Sequence, residues 1–222
     1  MIFFPGLGAT QDLFYEQRKA FPNALFPAWI DPLENESLQS YGKRMAASLK
    51  DDRNPSILVG MSFGSQVALE VSKHLPTQSI VIISGFRNER EVSIRLKRQV
   101  KWGLALPDAL IRWTAEKVLA PYFIKKERLS EEHSEILVRM SQEIDLSFFR
   151  WASKAAASWT YQEPTNKPTN IIQVHGEMDF VVRLNELKGP DLVLKNAQHL
   201  IQFTHAHEIN KVIKDAECFA PA

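Results

Sequence analysis

Short apolar runs alternate along this chain with longer amphipathic stretches, a rhythm that few folds satisfy. The runs lie at 2–4, 24–30, 56–60, 80–84, 170–175 and 192–194 and are rich in Ile, Val, Leu and Phe. They show little period-two alternation, as expected of parallel strands covered on both faces. The weakest is 24–30, where Pro27 interrupts the run. Between the runs, Leu38, Tyr41, Met45 and Leu49 recur at helical spacing, as do Val67, Ala68, Val71 and Leu75 up to Pro76. Ile209, Val212 and Ile213 mark a last helix over 204–216. The pattern predicts an α/β protein, a mostly parallel sheet of about six strands flanked by helices.

One stretch breaks the rhythm. Between Ser84 and Asn170 there is no strand pattern, only helical patterns punctuated by Pro107, Pro121, Pro164 and Pro168. Four of the five tryptophans fall here, Trp102, Trp113, Trp151 and Trp159. We therefore expect residues 1–85 and 169–222 to form a core domain, and 86–168 a helical insertion. Its aromatics would pack the helices together, with some of them facing a ligand.

Composition excludes several classes. With Cys218 as the single cysteine, neither an intramolecular disulfide nor a Cys-based metal site is possible within the chain. A formal net charge of +1, without a long basic tract, argues against nucleic acid as a partner. Lys125-Lys126 and the Arg95, Lys97, Arg98 cluster are diluted by acids and read as solvated helix faces. No apolar run approaches the roughly 20 residues of a membrane span. The start Met1-Ile2-Phe3-Phe4 stops at Pro5-Gly6 without a basic leader. A cytoplasmic protein with no membrane partner is expected.

Chemistry enters at Gly60-Met61-Ser62-Phe63-Gly64, which follows Ile57-Leu58-Val59 directly and precedes a helix beginning near Ser65. A serine on a tight strand-to-helix turn is held clear of the sheet, and flanking glycines give the turn room. The pattern alone would occur by chance in roughly one chain in ten of this length; its position between strand and helix makes it more specific. Phe3-Phe4-Pro5-Gly6-Leu7-Gly8 runs a strand into a glycine-rich turn, which can offer backbone N–H groups to a developing oxyanion. The N–H groups of Leu7 and Phe63 are the candidates.

Val174-His175-Gly176-Glu177-Met178-Asp179 places a carboxylate just past the strand at 170–175, the end at which open α/β sheets bind ligands. Ala197-Gln198-His199-Leu200 places an imidazole between the last strand and the last helix. Asp179 would hold His199 in one tautomer, and His199 would take the Ser62 proton. Glu89, after the run at 80–84, is the main rival for the acid, and Glu177 a lesser one. His205 and His207 read as surface residues, His175 as a strand-end hydrogen bonder, and His74 and His133 as solvated. Metal binding fails on spacing, since His205-x-His207 has no third ligand nearby and no H-E-x-x-H occurs. Gly6-x-Gly8 lacks the third glycine of a dinucleotide fingerprint.

Taken in order, these motifs resemble the α/β-hydrolase superfamily over nearly the whole chain. FPGLG looks like its oxyanion turn, GMSFG like its nucleophile elbow, VHGEMD like its acid loop and AQHL like its histidine loop. Pro5 stands where the family often has His, and Gln198 where it often has Gly before the histidine. The chain starts at the strand leading to the oxyanion turn, so the family's first two strands are expected to be absent. The resemblance implies a helical cap between Ser84 and Asn170, and a catalytic set of Ser62, Asp179 and His199 with oxyanion donors Leu7 and Phe63. It implies hydrolysis of a small carboxylic ester, thioester or amide through a Ser62 acyl-enzyme, with no cofactor. A serine at the elbow, where this fold's epoxide hydrolases and dehalogenases use aspartate, argues against those chemistries. Carbon–carbon bond hydrolysis or lyase chemistry with the same triad, or a non-catalytic small-ligand binder, are the alternatives.

Overall fold

A computed structural model describes residues 1–49, 56–163 and 170–217. Among them, five strands form one sheet: β1 (Ile2–Phe4), β2 (Ser56–Met61), β3 (Thr77–Ile83), β4 (Asn170–Gly176) and β5 (Leu192–Leu194). They lie in the order β1-β2-β3-β4-β5, every neighbouring pair parallel. Ile2 pairs with Leu58, Val59 with Val81, Ile83 with Val174 and Gly176 with Leu194.

Alternate side chains feed two separate cores, which explains why the strands read as continuous apolar runs. Ile2, Phe4, Leu58, Ile80 and Ile82 face one side. Phe3, Val59, Met61, Val81 and Ile83 face the other. The first side is closed by α2 (Leu38–Ser48), α3 (Phe63–Val71) and α8 (Leu146–Ser158), which contribute Tyr41, Met45, Val67, Phe148 and Ala152. The second is closed by residues around α1 (Tyr15–Ala20), α7 (Glu131–Gln142), α9 (Ile201–Thr204) and α10 (Ala206–Glu217), including Phe14, Ile136, Met140, Phe203, Ile209 and Ile213.

Between β3 and β4 the described residues form helices only, as the sequence pattern implies: a short 3-10 turn, α4 (Ile94–Leu104), α5 (Asp108–Thr114), a π turn at Ala115–Leu119, α6 (Ala120–Glu127), α7 and α8. Their starts are written locally. Ser93, Ser130 and Asp145 each accept a backbone N–H from three residues on, capping α4, α7 and α8. Glu131 and Glu132 add negative charge to the first turn of α7. Arg128, at φ 53°, ends α6 in a left-handed cap.

The structure departs from the sequence reading at several points. The 24–30 run is not a strand: only Leu25 bridges Ile2, exchanging N–H···O bonds of 2.9 Å with Met1 and Phe3. Beyond it lies Pro27, which has no N–H to continue the pairing, so the sheet has five strands rather than about six. The elbow helix begins at Phe63, two residues earlier than expected, because the turn itself delivers helical backbone. The final helix is split at His205, whose φ of −130° separates α9 from α10. Pro164, Pro168 and Cys218, and the expected boundary at 168/169, lie outside the described residues.

Candidate active site

The loops after β1, β2, β4 and β5 carry the residues singled out by sequence. At the end of β2, Ser62 adopts φ 51°, ψ −116°, a backbone conformation costing about 1–3 kcal/mol in a non-glycine residue. The surrounding structure holds it there. Its N–H donates to Ile83 O at 2.9 Å, and its carbonyl accepts the Ser65 hydroxyl at 2.6 Å. Ser65 Oγ in turn accepts the N–H of Phe86, tying the elbow to the loop after β3. Ser62 is half-buried, and its Oγ has no hydrogen bond among the described residues.

Gly64 sets the spacing between the elbow and the turn after β1. A Cβ added there would lie 2.0 Å from Phe4 O and 2.5 Å from Pro5 O, inside backbone that cannot move aside. The same close approach sets Gly6 against the serine, since a Cβ on Gly6 would be 3.6 Å from Ser62 Cβ. The N–H groups of Leu7 and of Phe63, the first residue of α3, go to no protein acceptor among the described residues. Gly64→Ala is therefore expected to destabilise the fold by about 3 kcal/mol. Its thermal midpoint should fall by about 6–12 °C, and a shift under about 2 °C would contradict the packing described.

Asp179 and His199 meet by a similar device. A Cβ on Gly176 would lie 2.0 Å from Gln198 O, so the end of β4 abuts the histidine loop. Met178 N–H donates to Ala197 O at 2.8 Å, pinning the two loops together. Across that contact His199 Nδ1 lies 2.7 Å from Asp179 Oδ2, both side chains buried. Because a carboxylate only accepts, this bond places the proton on Nδ1 and leaves the Nε2 lone pair able to accept one. Asp179 Oδ1 accepts the N–H groups of Val181 and Val182 at 2.8 and 2.9 Å, which fixes the carboxylate.

His175 is the strand-end hydrogen bonder that the sequence suggests. Its Nε2–H donates to Val182 O at 2.7 Å and lies 3.3 Å from Asp179 Oδ2. Burial lowers its pKa and outweighs the pull of Asp179. Glu89 does not reach His199; it accepts the N–H of Tyr161 at 3.1 Å. His133 is not solvated but half-buried: it is 2.8 Å from Glu16 and stacked on Phe203 at 4.5 Å, because α7 packs over the core there. Glu16, Glu132 and His133 bring possible ligand atoms within 4.8 Å of one another. The Lys19 ammonium already lies 3.7 and 3.9 Å from the two carboxylates, so the cluster holds a cation of its own.

Two side chains of the helical segment come to His199. The Phe123 ring lies 6.4 Å from the imidazole, edge to face. The buried Glu127 carboxylate accepts two consecutive backbone N–H groups, His199 at 2.8 Å and Leu200 at 3.0 Å. Sequence reasoning missed Glu127, which reads there only as one acid in a charged helix end. Burial pushes its pKa up. Glu127→Ala would leave two buried N–H groups without acceptors and cost about 2 kcal/mol or more. Glu127→Gln keeps an acceptor oxygen and should lose less; equal melting temperatures for the two variants would contradict this role.

For His199 itself, burial alone would lower the pKa, but the Asp179 charge and hydrogen bond, with Glu127, outweigh it and the net shift is upward. A cavity of about 810 Å³ is lined by Ala197, Gln198, Tyr122, Lys125 and Lys126, but neither Ser62 nor His199 lines it.

No family model matches the sequence, and no curated protein matches it either. Solved structures do match in shape. An esterase from Exiguobacterium antarcticum superposes with TM-score 0.77 at 11% identity, covering 97% of this chain and 91% of that one. A Bacillus megaterium epoxide hydrolase gives TM-score 0.75 at 13% identity, covering 98% and 92%. A thermophilic esterase from Thermogutta terrifontis gives 0.71 at 14%, covering 96% and 87%. At such identities the likeness shows the fold alone. The chain has the α/β-hydrolase fold.

Proposed function

We propose that this protein is a serine hydrolase of small carboxylic esters, acting through an acyl-enzyme on Ser62. The observation that carries the reading is the buried 2.7 Å contact between His199 Nδ1 and Asp179, and the strand-to-helix turn that holds Ser62 at φ 51° supports it. His199 Nε2 takes the Ser62 proton as Oγ attacks the ester carbonyl. The N–H groups of Leu7 and Phe63 receive the oxyanion, aided by the N-terminus of α3. His199 then returns the proton to the departing alkoxide, and water, activated the same way, releases the acid. Phe123, Ile144 and Phe149 belong to a helical cap over this chemistry; the last two approach Gly8 of the oxyanion turn, where a Cβ would lie 3.3 and 3.5 Å from them.

Both esterases and epoxide hydrolases occur among the structural neighbours. Ser62, not a carboxylate, stands at the elbow, which favours acyl transfer. The test is hydrolysis of p-nitrophenyl acetate and butyrate against an aryl epoxide of similar size. Ester turnover without epoxide opening supports the reading; the reverse overturns it.

The direction of the His199 shift gives a pH prediction. The base must be neutral, so kcat/KM falls as pH drops through its pKa. That pKa is raised, so the midpoint is expected above about 6.5, rather than at the unperturbed value. A pH profile with an acidic limb well below that value would contradict the assignment of base.

A further inference from the structure

Residues 94–128 hold nine basic residues and three acidic ones, while the rest of the chain holds eighteen and twenty-three. A chain of formal net charge +1 is therefore strongly polarised, with its cationic end on α4 to α6. The same segment carries seven of the twelve large hydrophobic residues exposed among the described residues. Trp102 is 77% exposed, Ile94 70% and Trp113 55%. Across 94–119 only Ile111 is a buried hydrophobic residue.

Polar anchors hold these helices to the body beside the packing of Leu96, Leu106, Ile111 and Phe123. Arg95 reaches Glu186 at 2.9 Å and Val181 O at 2.6 Å. Arg150 reaches Leu104 O and Leu106 O at 2.8 and 2.7 Å. Ile94, Arg98, Lys101 and Trp102 are spaced at i, i+4, i+7 and i+8 and share the outward face of α4. Arg98, Lys101, Lys125 and Lys126 form no ion pair among the described residues. Their charge is available to a partner.

We infer that this face docks the protein onto an anionic lipid surface. Exposed tryptophans and aliphatics enter the headgroup boundary, while lysine and arginine stems extend to the phosphates. A second copy of the chain is disfavoured, because cationic faces repel one another. A nucleic acid would use the charge but leave Ile94, Val118 and Leu119 in water. The cavity lined by Tyr122, Lys125, Lys126, Glu127 and Arg128 adjoins α6 and sets three cationic side chains against one carboxylate. Read from sequence alone, these basic clusters are solvated faces; the exposed tryptophans beside them change that reading.

The test uses the full chain with vesicles of phosphatidylcholine alone or mixed with phosphatidylglycerol. Docking predicts co-sedimentation with the anionic vesicles only, reversed by high salt, with a blue shift in tryptophan emission. Arg98→Gln/Lys101→Gln should weaken partitioning by about 25-fold, at roughly fivefold per charge. Trp102→Ser should reduce both binding and the blue shift. Ser62→Ala should dock like wild type, which keeps this result separate from the catalytic reading. Failure to bind anionic vesicles, equal binding to phosphatidylcholine alone, or a stable dimer that shields Trp102 in solution would each overturn the inference.

Discussion

Ser62→Ala is expected to lower ester turnover by on the order of 10⁶-fold while leaving the fold intact. The size follows from what the hydroxyl does in the proposed reaction: without Oγ there is no acyl-enzyme, and residual rate comes only from the oxyanion donors acting on water. The absence of a structural cost follows from its surroundings. Ser62 Oγ holds no hydrogen bond among the described residues, and the elbow is held instead through its own N–H and carbonyl, by Ile83 and Ser65. Alanine keeps the Cβ, so the strain at φ 51° is unchanged. The melting temperature should stay within about 2 °C of wild type. Turnover near the wild-type level in a folded variant would remove Ser62 from the mechanism.

The second large effect is expected at Asp179. Asp179→Asn can preserve the two bonds from Val181 and Val182, through the amide oxygen in place of Oδ1. The amide nitrogen then faces His199 Nδ1 and donates where the carboxylate accepted. The imidazole takes the other tautomer, its proton moves to Nε2, and the base is lost. A drop of about 10⁴-fold in kcat/KM is expected, with little loss of stability. The charge that outweighs burial at His199 also disappears, so its pKa should fall. Titration of the His199 ring by NMR separates this from a general loosening of the loop. A variant that loses activity while the His199 pKa stays raised would contradict Asp179 as its partner.

Some of this site was legible in the sequence because it is local. The elbow is a strand, a turn and a helix within a few residues, and each declares itself by composition. Gly64 fits there because no side chain clears Phe4 O. Asp179 and His199 were legible because each lies in the loop just past an apolar run, and the ends of parallel strands lie together. What the sequence hid depends on long-range packing. Glu127 acts across 72 residues on the His199 backbone, and no periodicity announces such a contact. His133 reads as solvated in a charged helix, yet it packs against Glu16 and Phe203 from distant segments.

The tryptophans divide in the same way. Trp159 is buried and donates to Glu70 at 2.8 Å, and Trp151 donates to Glu36 O at 2.9 Å, whereas Trp102 and Trp113 lie exposed. Helical spacing cannot tell these fates apart, because each depends on what the neighbouring helix leaves uncovered. The run at 24–30 failed as a strand for a different reason. Its apolar residues do pack, with Phe26 stacked on Phe3 at 4.6 Å, but apart from the Leu25 bridge its backbone does not join the sheet. Hydrophobicity marked the segment as one that packs and overstated its pairing.

The proposed reaction requires Ser62 to be an activated nucleophile. Intact-mass spectrometry after incubation with a fluorophosphonate tests it without knowledge of the natural substrate. An activated Ser62 gives one adduct on the wild-type chain, slower labelling as pH falls through the His199 pKa, and none on Ser62→Ala. An adduct that persists on Ser62→Ala, or a folded wild-type protein that takes none, would contradict it.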